Sequence, residues 1–268
     1  MNAARGRARA GAWMLAAAAR PAREVLRLVA AARAAVSRRT LRASPAALLV
    51  LAAAASPLLA DTPSAVPADP PQMRHLDGDR YQLGNIIVDK AGRTFSVPGV
   101  ILELGSPEAP LEFLAAARKG VKLYESLIEL DTGAVDFNVA CILIGLEAAR
   151  GRPAAHHFDP QPVSGDTVNV AVEWQQDGRM VRRSAAELIR TSHSDPPRDD
   201  WVYTGSVIAP DGRFMAQADG VLVGFVHAPE SIIEHRTGLG LGNYGEVRYD
   251  PRTTPPAGTA VRLVVEKP

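Results

Sequence analysis

Residues 166–174 constrain this chain more than any other segment. Val168, Val170, Val172 and Trp174 fall on one side of a two-residue alternation, with Asn169 and Glu173 on the other. That period belongs to a half-buried β-strand, not to a helix. Such a strand is unstable alone and needs neighbours and a cover for its apolar face. Asp177-Gly178 follows at once as a hairpin signal, and Met180–Arg183 supplies the returning strand.

Weaker versions of the pattern run through the rest of the domain. Tyr81–Val88 and Val100–Leu104 are β-rich runs. Leu111–Ala116 and Val121–Leu130 read as a strand pair joined near Gly120. Trp201–Ile208 and Arg213–Gln217 read as a second hairpin around Pro210-Asp211-Gly212. Val221–Val226 and Ala260–Val265 are apolar strands. The spacing of Val135, Val139, Ile142, Leu143 and Leu146 predicts a helix over Ala134–Ala149, ended by Gly151 and Pro153. Ser184–Arg190 reads as a short helix, with Ser184 as N-cap and Glu187 at the capping-box position. No βαβ alternation is visible. The expected fold class is therefore α+β: mainly antiparallel β-sheet with one long packed helix and one or two short helices.

The start of the chain is different in kind. Of the 268 residues, the first sixty carry arginines from Arg5 to Arg42 against the single acid Glu24. The net charge of +1 thus hides a basic leader and an acidic remainder. An acidic domain lacks the electrostatic footprint for nucleic acid. Residues 46–60, AALLVLAAAASPLLA, form an uncharged run of signal-peptide length. Residues 1–60 read as a signal peptide or N-terminal membrane anchor, and any membrane contact is expected through them alone. Ser37-Arg38-Arg39-Thr40-Leu41 before the run resembles a twin-arginine export signal. A proline-rich linker spans 61–79, and a β-rich domain occupies 80–268. The expected location is periplasmic or otherwise extracytoplasmic.

Candidate chemistry is sparse. Tyr124-Glu125-Ser126 places a carboxylate and a hydroxyl together; on a strand, Tyr124 and Ser126 would share a face. His156, His157 and Asp159 lie in a polar loop over 150–165 and are weak candidates for a metal. His227 and His235 stand alone in sequence. Gly240–Gly245 matches GxGxxG, but prolines follow where a phosphate-binding helix would have to start. Cys141 is the single cysteine; an iron–sulfur cluster needs about four thiolates, so none is expected, and no other cofactor is indicated. Its mid-helix apolar setting reads as an inert core thiol. Trp174 and Trp201 read as core aromatics.

Gly120-Val121-Lys122-Leu123-Tyr124-Glu125-Ser126-Leu127 resembles the GKxHESL-type segment of YdjY-domain proteins. Val139–Leu146, Trp201–Ser206, Asp219–Val221 and Thr254–Thr259 are similar to further segments of that family in the same order. The resemblance covers nearly everything from residue 80 onward. It implies a bacterial, exported domain of uncharacterised role. The family often has histidine where this chain has Tyr124, and a polar residue, often histidine, near Asn138. Those two positions join Glu125 and Ser126 as candidate binding residues. The expected function is a non-catalytic binding or accessory module of the cell envelope, with an envelope protein as partner. The alternative is a metal-dependent or hydrolytic enzyme using the Glu125 strand or the His156/His157 loop.

Overall fold

The computed structural model describes residues 72–192, 196–240 and 245–268. The leader, with Arg38 and Arg39, lies outside these residues, as do most of the linker and the centre of the Gly240–Gly245 stretch.

Alternation dominates what is seen. The strands are β1 (Met73–His75), β2 (Arg80–Leu83), β3 (Ile86–Asp89), β4 (Thr94–Ile101), β5 (Phe113–Ala117), β6 (Ser126–Leu130), β7 (Asp166–Gln176), β8 (Arg179–Ser184), β9 (Ile189–Arg190), β10 (Trp201–Tyr203), β11 (Val221–Gly224), β12 (Ile233–His235), β13 (Arg248–Tyr249) and β14 (Ala260–Glu266). The helices are α1 (Ala134–Leu143) and α2 (Met215–Asp219). The main sheet runs β4-β14-β7-β10-β12-β11-β5-β6, and β6 then pairs back to β4. This closes an eight-stranded barrel, with β1, β2, β3 and β8 as extra strands. β9 and β13 form a small separate sheet.

The α+β expectation is therefore corrected: the fold is a β-barrel, and the described chain is mostly β and 13% helical. Closure gives β4 and β6 each a partner where an open sheet would leave bare edges. The barrel holds two parallel pairs, β11–β12 and β5–β6, among antiparallel ones. Leu111–Ala116 and Val121–Leu130 do pair, but in parallel, with Phe113 opposite Ser126.

The alternating set of β7 fills the core as its period demands. Val170, Val172 and Trp174 are buried, with Leu263 and Val265 from the long β14 and Phe95 and Val97 from β4. Trp201 is buried as well. Phe137 of α1 meets Phe95 edge-on at 5.2 Å. The helix is shorter than the apolar spacing suggests. It stops before Gly145, whose φ of +89° lets Leu146 N–H turn back to the Cys141 carbonyl at 3.1 Å. Ser184 and Glu187 form the expected capping box, but on a single 3-10 turn, Ala185–Leu188, that leads into β9. Around Asp211 only Ile208 and Phe214 bridge, and 215–219 are helical instead of a second hairpin strand. Among the described residues no helix is long and apolar enough to cross a membrane.

Candidate functional site

The outer wall at β5, β10, β11 and β12 is covered by the 150–165 segment, here called the strap. Its two ends bridge at Arg152 and Ser164. Ala154 and Val163 pack on Val202 of β10. Phe158 joins Phe113, Val221, Val226 and Ala228 in a second apolar cluster. Phe158 N–H donates to the His227 carbonyl at 2.9 Å, and Val163 N–H to the Arg236 carbonyl at 3.0 Å. The strap is thus held by backbone bonds and two small apolar seats.

The strap brings the two sequence candidates together. His157 Nε2 sits 3.0 Å from Glu112 Oε2, close enough for an ion pair but off line for a hydrogen bond. Glu112 is buried at the entry to β5, and its N–H donates to the Glu125 carbonyl at 3.0 Å. Glu125 is buried too, and Lys122 Nζ donates to its Oε1 at 2.7 Å. The same ammonium lies 5.9 Å from the centre of the Phe113 ring and 5.8 Å from that of Tyr124.

The electrostatics follow from these neighbours. The Glu112 carboxylate raises the His157 pKa above its usual value, against partial burial. Burial disfavours the Lys122 ammonium, but the bond and charge of Glu125 outweigh it and raise its pKa. Glu125 therefore faces an ammonium, as buried charge requires, and Glu112 faces an imidazole whose protonated form it favours. Lys122 and His157 are both partly exposed, so the pairs meet solvent on one side.

Tyr124 and Ser126 do not share a strand face. Leu123–Glu125 is a 3-10 turn, so Tyr124 projects outward and is 70% exposed. Ser126 is fully buried and its hydroxyl donates to the Lys122 carbonyl at 2.7 Å. A hydroxyl so placed cannot serve as a nucleophile for an outside substrate. Val121, 65% exposed, stands beside the same turn. Asn138 belongs elsewhere: its Oδ1 accepts the Tyr203 hydroxyl at 2.7 Å.

The metal candidates diverge. His156 Nδ1 approaches the His157 carbonyl, and Asp159 accepts N–H bonds from Ala155 and Gln161, which lower its pKa. Among the described residues no three His, Cys, Asp or Glu side chains gather as a metal-holding group. Cys141 is fully buried, and burial pushes its thiol pKa well up. His227 is also fully buried, with a ring nitrogen against the Asp159 carbonyl at 2.6 Å and the other against the His235 carbonyl at 3.1 Å. It pins the strap from below.

Two acids escaped the sequence reading, Glu112 and Glu234. Glu234 opposes Val202 across the β10–β12 pair and so shares its outward face, beneath the strap. It is fully buried. Its Oε2 accepts the Ala228 N–H at 3.1 Å, and Oε1 has no hydrogen-bond partner. Burial pushes its pKa up to about 8. The usable signal for both was an acid inside an apolar run: Glu112 between Leu111 and Phe113, Glu234 after Ile232-Ile233.

A family model described as the YdjY domain matches residues 86–266. No curated protein and no solved structure matches the chain.

Proposed function

The chain belongs to the YdjY domain family, and from that premise we propose that it is an exported, non-catalytic binding or accessory module of the bacterial cell envelope. The 3-10 turn at Leu123–Glu125 is its contact surface, and an envelope protein is its partner. The observation that carries this reading is the exposed Tyr124 on a turn anchored by the ion pair of Lys122 with the buried Glu125. An aromatic ring fixed in place loses little entropy on binding, and tyrosine is enriched where interfaces concentrate their energy. Val121 widens the apolar contact, while Lys122 and His157 supply a polar rim.

The test places a photo-crosslinking side chain at position 124 or at Met180, also exposed, in the full chain in cells. The expected result is a discrete crosslinked species from position 124 alone. Tyr124→Ala should weaken the purified complex about tenfold or more while leaving the melting temperature unchanged. Equal, diffuse labelling from both positions would remove the turn from consideration.

Export rests on the basic leader and its apolar run, residues 1–60. Changing Arg38 and Arg39 together to lysine should leave the protein in the cytoplasm, as fractionation would show. Undiminished export of that variant would exclude the twin-arginine route while leaving general secretion open.

A second reading has one specific observation behind it, the half-exposed His157 imidazole against the buried Glu112 carboxylate. A carboxylate that orients a histidine is a recurrent acid–base device. On this reading the chain is a hydrolytic envelope enzyme, and His157→Gln would abolish turnover without unfolding it.

A further inference from the structure

The strap covers one acid that no cation among the described residues neutralises. Glu234 stands on the outward face of β12, opposite Val202 of β10 and Gly224 of β11, and it is fully buried. What lies over Val202 is the strap, through Ala154 and Val163. The Ala154 N–H and the Thr204 hydroxyl act on the Glu234 carboxyl, yet Oε1 is left without a hydrogen-bond partner.

The groups around it offer no counter-charge. Glu230, in the loop before β12, repels an ionised Glu234. Asp159 of the strap accepts the Ala155 and Gln161 N–H bonds, and His157 is turned to Glu112. His227 places its ring nitrogens against the Asp159 and His235 carbonyls. His235 itself lies on the core face, edge-on to Trp201. β10 and β11 set only Val202 and Gly224 opposite Glu234. A bound proton therefore keeps this acid neutral while it is covered.

The cover itself is thin. Within the strap only Ala154, Asp159 and Val163 are buried. Phe158, midway along it, holds φ at +58°, a left-handed backbone that a bulky residue rarely adopts. Few buried contacts and a strained backbone mark a segment that can open locally, short of unfolding. We propose that the strap is a pH-operated cover, closed while Glu234 holds its proton and released from the wall when Glu234 ionises. Opening gives the carboxylate water. It also draws His157 away from Glu112 and bares Val202 and Phe113, so it remakes the surface that the strap and the wall present. The His157–Glu112 pair acts in the same sense, since the imidazole loses its charge as pH rises. The inference rests on Glu234 and the strap and stands whether or not Tyr124 is a contact residue.

Hydrogen exchange of the full chain, read by mass spectrometry and corrected for the pH dependence of the chemical step, tests it. Protection of peptides from 150–165 should fall about fiftyfold between pH 6 and 8, the linkage expected when opening returns one carboxyl from about 8 to its ordinary value. At each pH the strap should exchange at least about a hundredfold faster than β7 and β14, the mark of local opening. In Glu234→Gln the fall should shrink to less than about tenfold, with His157 supplying what remains. Strap protection in the parent chain that does not change with pH would overturn the proposal. So would an equal fall in Glu234→Gln, which would take the acid out of the mechanism. Equal protection of strap and β14 would overturn it too, because Glu234 would then act on global folding alone.

Discussion

Replacing Glu234 with glutamine is expected to remove most of the pH dependence of folding between pH 4.5 and about 8. In the unfolded chain this carboxyl titrates near 4.5, whereas burial under the strap pushes the folded value up to about 8. Below pH 4.5 both states hold the proton. As pH rises, the unfolded chain releases it while the folded chain keeps it. Stability therefore falls across the window and levels off above about 8. The loss is on the order of 5 kcal/mol, at roughly 1.4 kcal/mol per pH unit. Glutamine keeps an oxygen for the Ala228 N–H and has no charge to bury. Denaturant unfolding from pH 5 to 9 should give curves that nearly coincide at the acidic end and separate as pH rises. Parallel curves at every pH would sink the assignment. His157 acts in the same sense, since its raised folded pKa adds stability below about 6.5 that is lost as pH climbs through the folded value. The Glu234→Gln variant retains that smaller slope, so the two groups can be told apart.

Gly165→Ala should be the most damaging single methyl group in the strap. A Cβ at this position would lie 2.0 Å from the Tyr203 carbonyl oxygen, and a Cβ on Gly151 would lie 2.5 Å from that of Thr204. Both roots of the strap thus press backbone to backbone on the end of β10. No rotamer can relieve a clash at Cβ, so either the strand or the strap must move. The cost is about 3 kcal/mol or more, at the upper end of overpacking effects. Gly133→Ala, with 3.7 Å to its nearest neighbour, is the matched control and should cost less than about 1 kcal/mol. A midpoint for Gly165→Ala equal to that of the control would show that the strap does not bear on β10 as described. Selective proteolysis within 150–165 would locate the damage in the strap itself.

The candidate site was half legible in the sequence. Tyr124, Glu125 and His157 stood out as chemistry-bearing residues, but in two unrelated segments. Their relation runs through Glu112, whose side chain approaches His157 while its N–H bonds the Glu125 carbonyl. Glu112 sits in an apolar run where local pattern predicts only strand. Tyr124 and Ser126 were placed on one face because strand periodicity was extended into a 3-10 turn. Asn138 faced the core tyrosine Tyr203, which no local spacing reveals.

Local order was encoded locally. The alternation of β7, the Asp177-Gly178 hairpin and the Ser184/Glu187 capping box could be read directly, because each depends on residues a few positions apart. So could the burial of Trp174 and Trp201 and the contrast between a basic leader and an acidic domain. The tertiary structure alone decided that the sheet closes. Period-two patterning states which face of a strand is buried but not which edge meets which. The β4–β6 pairing that completes the barrel, and the parallel β5–β6 register beside it, are long-range choices. The same closure sets Glu112 beside Glu125, and the strap laid across the wall carries His157 to Glu112.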